Sequence, residues 1–166
     1  MGAKIITLIA LALMNMSICT GRSINGAGLE LLKVSEGFVA DFYHDQIGLK
    51  TIGYGHACKW QGCDGIHPPI SKAEGTKILM KDLVQFEKCV ERLVPAGLND
   101  NQFSACVDFA FNMGCGAFGG SDILKQLRAN NRVGAADAFL KYDEAGGRRI
   151  EGLTVRRRKD RELFLA

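Results

Sequence analysis

The sequence predicts an α+β fold with a small β-containing lobe near the N-terminus, a larger helical lobe behind it, and a cleft between them. Three observations carry this. Phe42 to Gly55 is rich in aromatic and β-branched residues and is broken by Gly48, Gly53 and Gly55, the texture of a small hairpin or three short strands. Nearly everything after residue 70 shows helical apolar spacing with cap residues at its breaks. The length, 166 residues with almost half of them apolar, suits one domain with its own core. A cleft between two such lobes is a natural seat for an extended polymer.

Residues 1–21 stand apart. Lys4 precedes a short apolar stretch, Ile5 to Met14, followed by Ser17, Cys19, Thr20 and Gly21. This is the pattern of a signal peptide cleaved after Cys19 or Gly21, and the apolar run is short for a membrane span. Residues 22–166 are then the mature, secreted domain, expected to be monomeric. The rival reading is a retained membrane anchor. Removing the leader takes away Lys4 and no acid, so the formal charge of +3 falls by one. A mild positive balance suits an anionic target such as a bacterial wall.

Asn25 to Glu36 reads as a first helix, with Leu31, Val34 and Phe38 as its buried stripe and Gly37 as its stop. The β stretch follows, then an irregular loop over 57–70 containing Pro68-Pro69. Ser71 and Glu74 form a capping box, after which Leu79, Leu83, Phe86, Val90 and Leu93 recur at helical spacing up to Pro95. Asn99 caps the next helix, which ends near Gly114, and further helices are expected over 122–130, 133–144 and 154–165. There is no internal repeat, low-complexity run or linker.

Glu36 and Asp45 are the candidate chemistry. Glu36 sits in the last turn of a helix, where the backbone dipole disfavours an anion, and Val34 and Phe38 are positioned to desolvate it. Asp45 lies in a polar turn. Two carboxyls in unlike environments are what glycosidic-bond cleavage requires. Taken alone, a Glu near a helix end and an Asp in a turn are ordinary surface residues. The local pattern singles them out: E-x8-D-x5-T-x4-H links Glu36, Asp45, Thr51 and His56, within Thr51-Ile52-Gly53-Tyr54-Gly55-His56.

This arrangement resembles the phage-type lysozymes, glycoside hydrolase family 24. The resemblance continues through Leu98-Asn99-Asp100-Asn101-Gln102-Phe103-Ser104-Ala105, Phe109-Ala110-Phe111-Asn112-Met113-Gly114, Ala145-Gly146-Gly147, Gly152-Leu153 and Arg156-Arg157-Arg158, and covers residues 27–166. It implies a lysozyme-like fold and hydrolysis of the β-1,4 bond between N-acetylmuramic acid and N-acetylglucosamine in bacterial peptidoglycan, with no cofactor. By the same resemblance Glu36 is the general acid, Asp45 the second catalytic carboxylate, and Thr51 the residue that positions water or supports Asp45. Whether Asp45 activates water or attacks the sugar depends on the carboxyl separation. His56 is expected in a structural role. Arg156 falls where some members place an arginine near the acid; a contact there opposes the effect of the helix end, and a surface position is the alternative. Tyr54, flanked by glycines that let backbone approach a sugar, and Asn112 are candidate substrate contacts.

Five cysteines remain after the leader, an odd number for an exported chain. Cys58 and Cys63 can close a small loop around Gly62. Cys89 ends one long helix and Cys115 follows the next, so they can meet across an antiparallel pair. Loop entropy assigns about 2 and about 3.5 kcal/mol to these bridges. Cys106 shares an apolar helical face with Phe103, Val107 and Ala110 and is the expected free thiol. His56, Cys58, Cys63 and His67 have zinc-like proximity, but an exported chain favours disulfides, so no metal is expected. Seven basic residues between Arg148 and Arg161 read as a solvated helix face, or as a patch for anionic wall polymers or lipopolysaccharide. No nucleic-acid motif accompanies them. The competing classes are a non-catalytic glycan-binding protein, a cationic membrane-disrupting protein, and a chitin-cleaving hydrolase.

Overall fold

The computed structural model describes residues 21–45 and 47–166. The expected leader lies outside these residues apart from Gly21. Among the described residues no helix is long and apolar enough to cross a membrane. The element order is α1 (Gly26–Glu36), β1 (Val39–His44), β2 (Lys50–Gly53), β3 (His56–Ala57), α2 (Cys58–Gln61), α3 (Lys72–Leu93), α4 (Asp100–Met113), α5 (Cys115–Gly119), α6 (Asp122–Arg128), α7 (Arg132–Phe139), β4 (Glu144–Ala145), β5 (Arg148–Arg149) and α8 (Glu151–Leu165).

The helical lobe is organised around α4. Every residue from Phe103 to Ala110 is buried, so this helix is covered on all sides. Asn99 and Gln102 cap it reciprocally, satisfying two N–H groups that the first turn leaves open. Helices α1, α3, α5 and α8 pack against it. Phe109 is the centre of an aromatic cluster with Phe118, Phe139 and Tyr142. Helix α3 begins at the Ser71–Glu74 capping box and buries Leu79, Leu83 and Val90.

The β lobe is an antiparallel sheet ordered β1-β2-β3. Tyr43 stands opposite Thr51, and Thr51 opposite Ala57; Ile52 pairs with His56. Ile52 is fully buried, and the His56 ring reaches Asp82 of α3. Since side chains alternate along a strand, Tyr43, Thr51 and Ala57 belong to the other face, away from α3.

Several expectations need correction. The buried residues of α1 are Gly28 and Leu32, whereas Val34 is 66% exposed and Leu31 half-buried. Helix α1 meets α4 through a close backbone approach at Gly28, and this sets the inward face more than side-chain hydrophobicity does. The 57–70 loop contains the short helix α2. The helix expected over 133–144 stops at Phe139, and the one expected from 154 begins at Glu151. Between them lies the hairpin β4–β5, turned by Gly146 and Gly147, both at positive φ as a tight two-residue turn requires. Helix α5 was not anticipated.

A Cβ at Gly28 would stand 2.5 Å from the Ser104 Cβ and 2.9 Å from Ile24 Cγ1. Gly28→Ala is therefore expected to destabilise the fold by about 1–3 kcal/mol in urea unfolding; an unchanged midpoint would contradict the close α1–α4 crossing.

Candidate active site

Glu36 closes α1 on the same side as the inward-facing Gly28 and Leu32, four residues apart each time. That placement turns it towards α4 and α8. Its Oε1 accepts a hydrogen bond from Arg156 Nη1 at 2.7 Å, and its side chain is 22% exposed. Gly55, at φ +83°, lies against the other oxygen: a Cβ there would be 3.6 Å from Oε2. The apolar cover expected from Val34 and Phe38 is not what meets the carboxyl, because Val34 is at the exposed rim and Phe38 packs on Tyr54.

Arg156 belongs to α8 and is buried, which settles its surface alternative. Its Nε and Nη2 donate to Asp108 Oδ2 and Oδ1 at 2.8 and 2.9 Å, a two-pronged pair, while Nη1 holds Glu36. Asp108 comes from the centre of α4 and is wholly buried. The two carboxylates raise the affinity of Arg156 for its proton despite burial. The next residue, Arg157, is also wholly buried; it donates to Asn112 Oδ1 at 2.9 Å, lies 3.3 Å from Asp160, and stacks over the Phe109 ring. The basic run is thus not one solvated face, since two of its members are core residues.

Asp45 lies at the end of β1. Its Oδ1 accepts from the backbone N–H of Ile47 and Leu49 at 3.0 and 2.8 Å, which sets its orientation. Thr51 is 2% exposed and its hydroxyl donates to the Leu49 carbonyl at 2.9 Å. It therefore braces the turn that presents the Leu49 N–H to Asp45.

Two open cavities, of about 510 and 700 Å³, meet at Asn112. Glu36, Val34, Lys159 and the start of α8 line the first; Tyr43, His44, Asp45 and Ile47 line the second. Asn112 gives its oxygen to Arg157, which leaves its amide N–H groups for the cleft. Burial, then the negative charges of Asp45 and Glu36, raise the Tyr43 phenol above its ordinary value. Tyr43 is thus within electrostatic range of both carboxyls.

Tyr54 does not line this cleft. It is 5% exposed, with its ring packed on Phe38 and beside Gly75, so the substrate contact expected of it is replaced by a core role. His56 bridges the β lobe to α3. Its Nε2 donates to the Gly62 carbonyl at 2.8 Å, and a carbonyl can only accept. Nδ1 and Asp82 Oδ2, 2.8 Å apart, therefore share the remaining proton of the pair. Asp82 is raised above its ordinary value chiefly by burial, with His56 opposing the shift. Disulfides join Cys58 to Cys63 and Cys89 to Cys115, while Cys106 is a buried free thiol. The sulfurs of the zinc-like quartet are thus bonded to each other.

Asp108, Arg157 and Tyr43 were missed in the sequence. A charge at Asp108, inside the apolar run Ala105–Ala110, demands a buried partner, and that demand was the available signal. Tyr43 lies near the end of β1, two residues before Asp45, and lines the same cavity.

Asp160 is also wholly buried, and both its oxygens lack hydrogen-bond partners among the described residues. Burial, reinforced by the Asp108 charge, holds its carboxyl well above the usual carboxylate range. The folded protein keeps a proton there that the unfolded chain releases, so rising pH disfavours the folded state through this window. Asp160→Asn does not titrate. Its thermal midpoint is expected to gain on the parent's as pH rises from about 4 to 7; a constant or narrowing gap would contradict the buried-proton account.

The sequence and the fold have relatives. The phage lysozyme family model matches residues 33–160, a span that includes Glu36, Asp45, Asn112 and Arg156. The endolysin of Bacillus phage B103 is 39% identical over 147 residues, covering 86% of this chain and 54% of that protein. The endolysin of Salmonella phage P22 is 38% identical over 146 residues, covering 86% and 98%. The chain thus spans about half the length of the first relative and nearly all of the second. A crystal structure of a P22 lysozyme mutant superposes with a TM-score of 0.78 at 37% identity, covering 87% of this chain and 99% of that one. The muramidase domain of SpmX from Asticaccaulis excentricus gives a TM-score of 0.77 at 32% identity, with the same coverage. The family model covers most of the chain and the solved relatives share its fold: the chain belongs to the phage lysozyme family.

Proposed function

We propose that the chain is a lysozyme that hydrolyses the β-1,4 bond between N-acetylmuramic acid and N-acetylglucosamine in bacterial peptidoglycan. The observation that carries this is the placement of two carboxyls, Glu36 from the helical lobe and Asp45 from the β lobe, in adjoining open cavities that meet at Asn112. The endolysin and muramidase relatives support the same chemistry.

Glu36 is the proton donor. Arg156 occupies Oε1, so Oε2, beside Gly55, is the oxygen that hands its proton to the departing sugar. Asp45 is the second carboxylate. Its Oδ1 is taken by two N–H groups, which leaves Oδ2 to act on water in the inverting course that the family resemblance favours. Thr51 is a positioning residue, acting on Asp45 through Leu49. The Asn112 amide suits the carbonyl of an N-acetyl group.

The leader-like residues 1–21 and the two disulfides support export to an oxidising compartment, with residues 22–166 as the mature domain. Bacterial lysis in defence or digestion fits this placement. Arg148, Arg158 and Lys159 are exposed and lack an acidic partner among the described residues, so anionic wall polymers or lipopolysaccharide would meet these. Arg157, buried, is not among them.

On purified peptidoglycan, wild-type protein is expected to release new reducing ends. Glu36→Gln and Asp45→Asn should each lower that rate by roughly 10²–10⁴-fold while keeping a cooperative thermal transition. Clearing by Glu36→Gln at the wild-type rate would overturn the hydrolase reading in favour of membrane disruption.

A further inference from the structure

The proposed chemistry uses Glu36 and Asn112 of the cavity of about 510 Å³ and leaves the rest of its wall without a task. That wall comes chiefly from α8. Gly152, Val155, Arg156 and Lys159 are linked by three- and four-residue steps, so they share one face of the helix, and all four line the cavity. Ile150 joins them from the residue before α8, and Val34 from the last turn of α1.

Three features of this wall call for an occupant. Val34, Ile150 and Val155 are 66%, 42% and 40% exposed. Aliphatic residues exposed one by one need no explanation, but three gathered around one cavity mark a place for an apolar group. Lys159 is exposed and has no acidic partner among the described residues. Glu151 lines the same cavity but stands eight residues earlier in α8, about 12 Å along the axis, so it does not neutralise Lys159 by contact. The third feature is Gly152. A Cβ there would meet nothing within 4 Å, and its backbone is not left-handed. Neither packing nor conformation requires a glycine at this position, and a glycine weakens a helix. What its missing side chain does is keep the cavity open.

We propose that this cavity receives the lactyl-peptide substituent of a muramic acid residue, with Val34, Ile150 and Val155 against its methyl groups and Lys159 on a carboxylate, and so separates peptidoglycan from chitin. This rests on the reading of the cleft as a glycan-cutting site and specifies which glycan it takes. The two polymers share a β-1,4 N-acetylhexosamine backbone. Peptidoglycan adds to every second sugar a lactyl ether that carries a methyl group, followed by a short peptide with free carboxylates. The wall offers aliphatic side chains for the first and a cation for the second. A chitin strand would leave the cavity empty and Lys159 unpaired.

Full-length Glu36→Gln, which should bind without cutting, is titrated by calorimetry with soluble peptidoglycan fragments that bear the peptide, and with N-acetylglucosamine oligomers of equal sugar number. Gly152→Leu, Lys159→Glu and Lys88→Met are then added to it singly; Lys88 is an exposed lysine of α3 that lines neither cleft cavity. The proposal expects the peptide-bearing fragments to bind at least about tenfold more tightly than the oligomers. Gly152→Leu should erase that preference by filling the cavity, while its thermal midpoint stays at or above the parent's. Lys159→Glu should weaken the peptide-bearing fragments about tenfold and the oligomers less than about twofold, with the loss shrinking as salt is added. Lys88→Met should change neither. Equal binding of the two glycans, or binding of neither, would overturn the proposal. So would a full preference kept by folded Gly152→Leu, equal losses on both glycans in Lys159→Glu, or a loss in Lys88→Met as large as that in Lys159→Glu. Reducing-end release by the wild type is read separately. Hydrolysis without the preference keeps the enzyme and removes this binding position; the preference without hydrolysis does the reverse.

Discussion

One guanidinium joins three helices in this structure. Arg156 of α8 grips Asp108 at the centre of α4 with two nitrogens and Glu36 at the end of α1 with the third. Removing such charges from water costs several kcal/mol per ion, and only close, hydrogen-bonded partners offset this. The geometry is therefore demanding. If α1, α4 or α8 shifts by a fraction of an ångström, a buried carboxylate loses its partner. Stability of the helical lobe and placement of Glu36 are consequences of the same contact. Arg157 continues the network to Asn112, so the cleft's amide is held by the same helix. Asp108 lies between the two arginines, and Asp160 stands beside Arg157 at 3.3 Å, so acidic groups run along the same network.

The β lobe is tied down separately. His56 and Asp82 join it to α3, the Cys58–Cys63 bridge closes its far edge, and the Thr51 hydroxyl braces the Asp45 turn. Two independently held lobes, each contributing one carboxyl, leave an open channel between them. That division suits a long polymer, which must enter sideways rather than through a closed pocket.

Much of this was legible in the sequence where local chemistry decides the outcome. The caps at Ser71 and Asn99, the five apolar positions of α3, and the two cysteine pairs are statements about neighbours in the chain or about simple helix pairing. The motif around Glu36, Asp45 and Thr51 pointed to the family. What was misread depends on distant partners. Val34 looks like core, but Gly28 and Leu32 face α4, because the tightest approach is made where there is no side chain. Arg157 looks solvated by composition, yet Asp160 and the Phe109 ring receive it. Tyr54 looks like a sugar contact between two glycines, and a Phe38 ring claims it instead.

The central claim is that the forked shape of Arg156, beyond its charge, holds Glu36 for its proposed work. Lysine keeps the charge but cannot reach two carboxylates in the same planar geometry. The most direct measurement is the rate of reducing-end release by Arg156→Lys, with its folded state verified by circular dichroism. The account predicts a folded enzyme slowed by roughly 10²-fold, since an ångström of misplacement is worth that much. A folded Arg156→Lys that cuts peptidoglycan at the wild-type rate would contradict it.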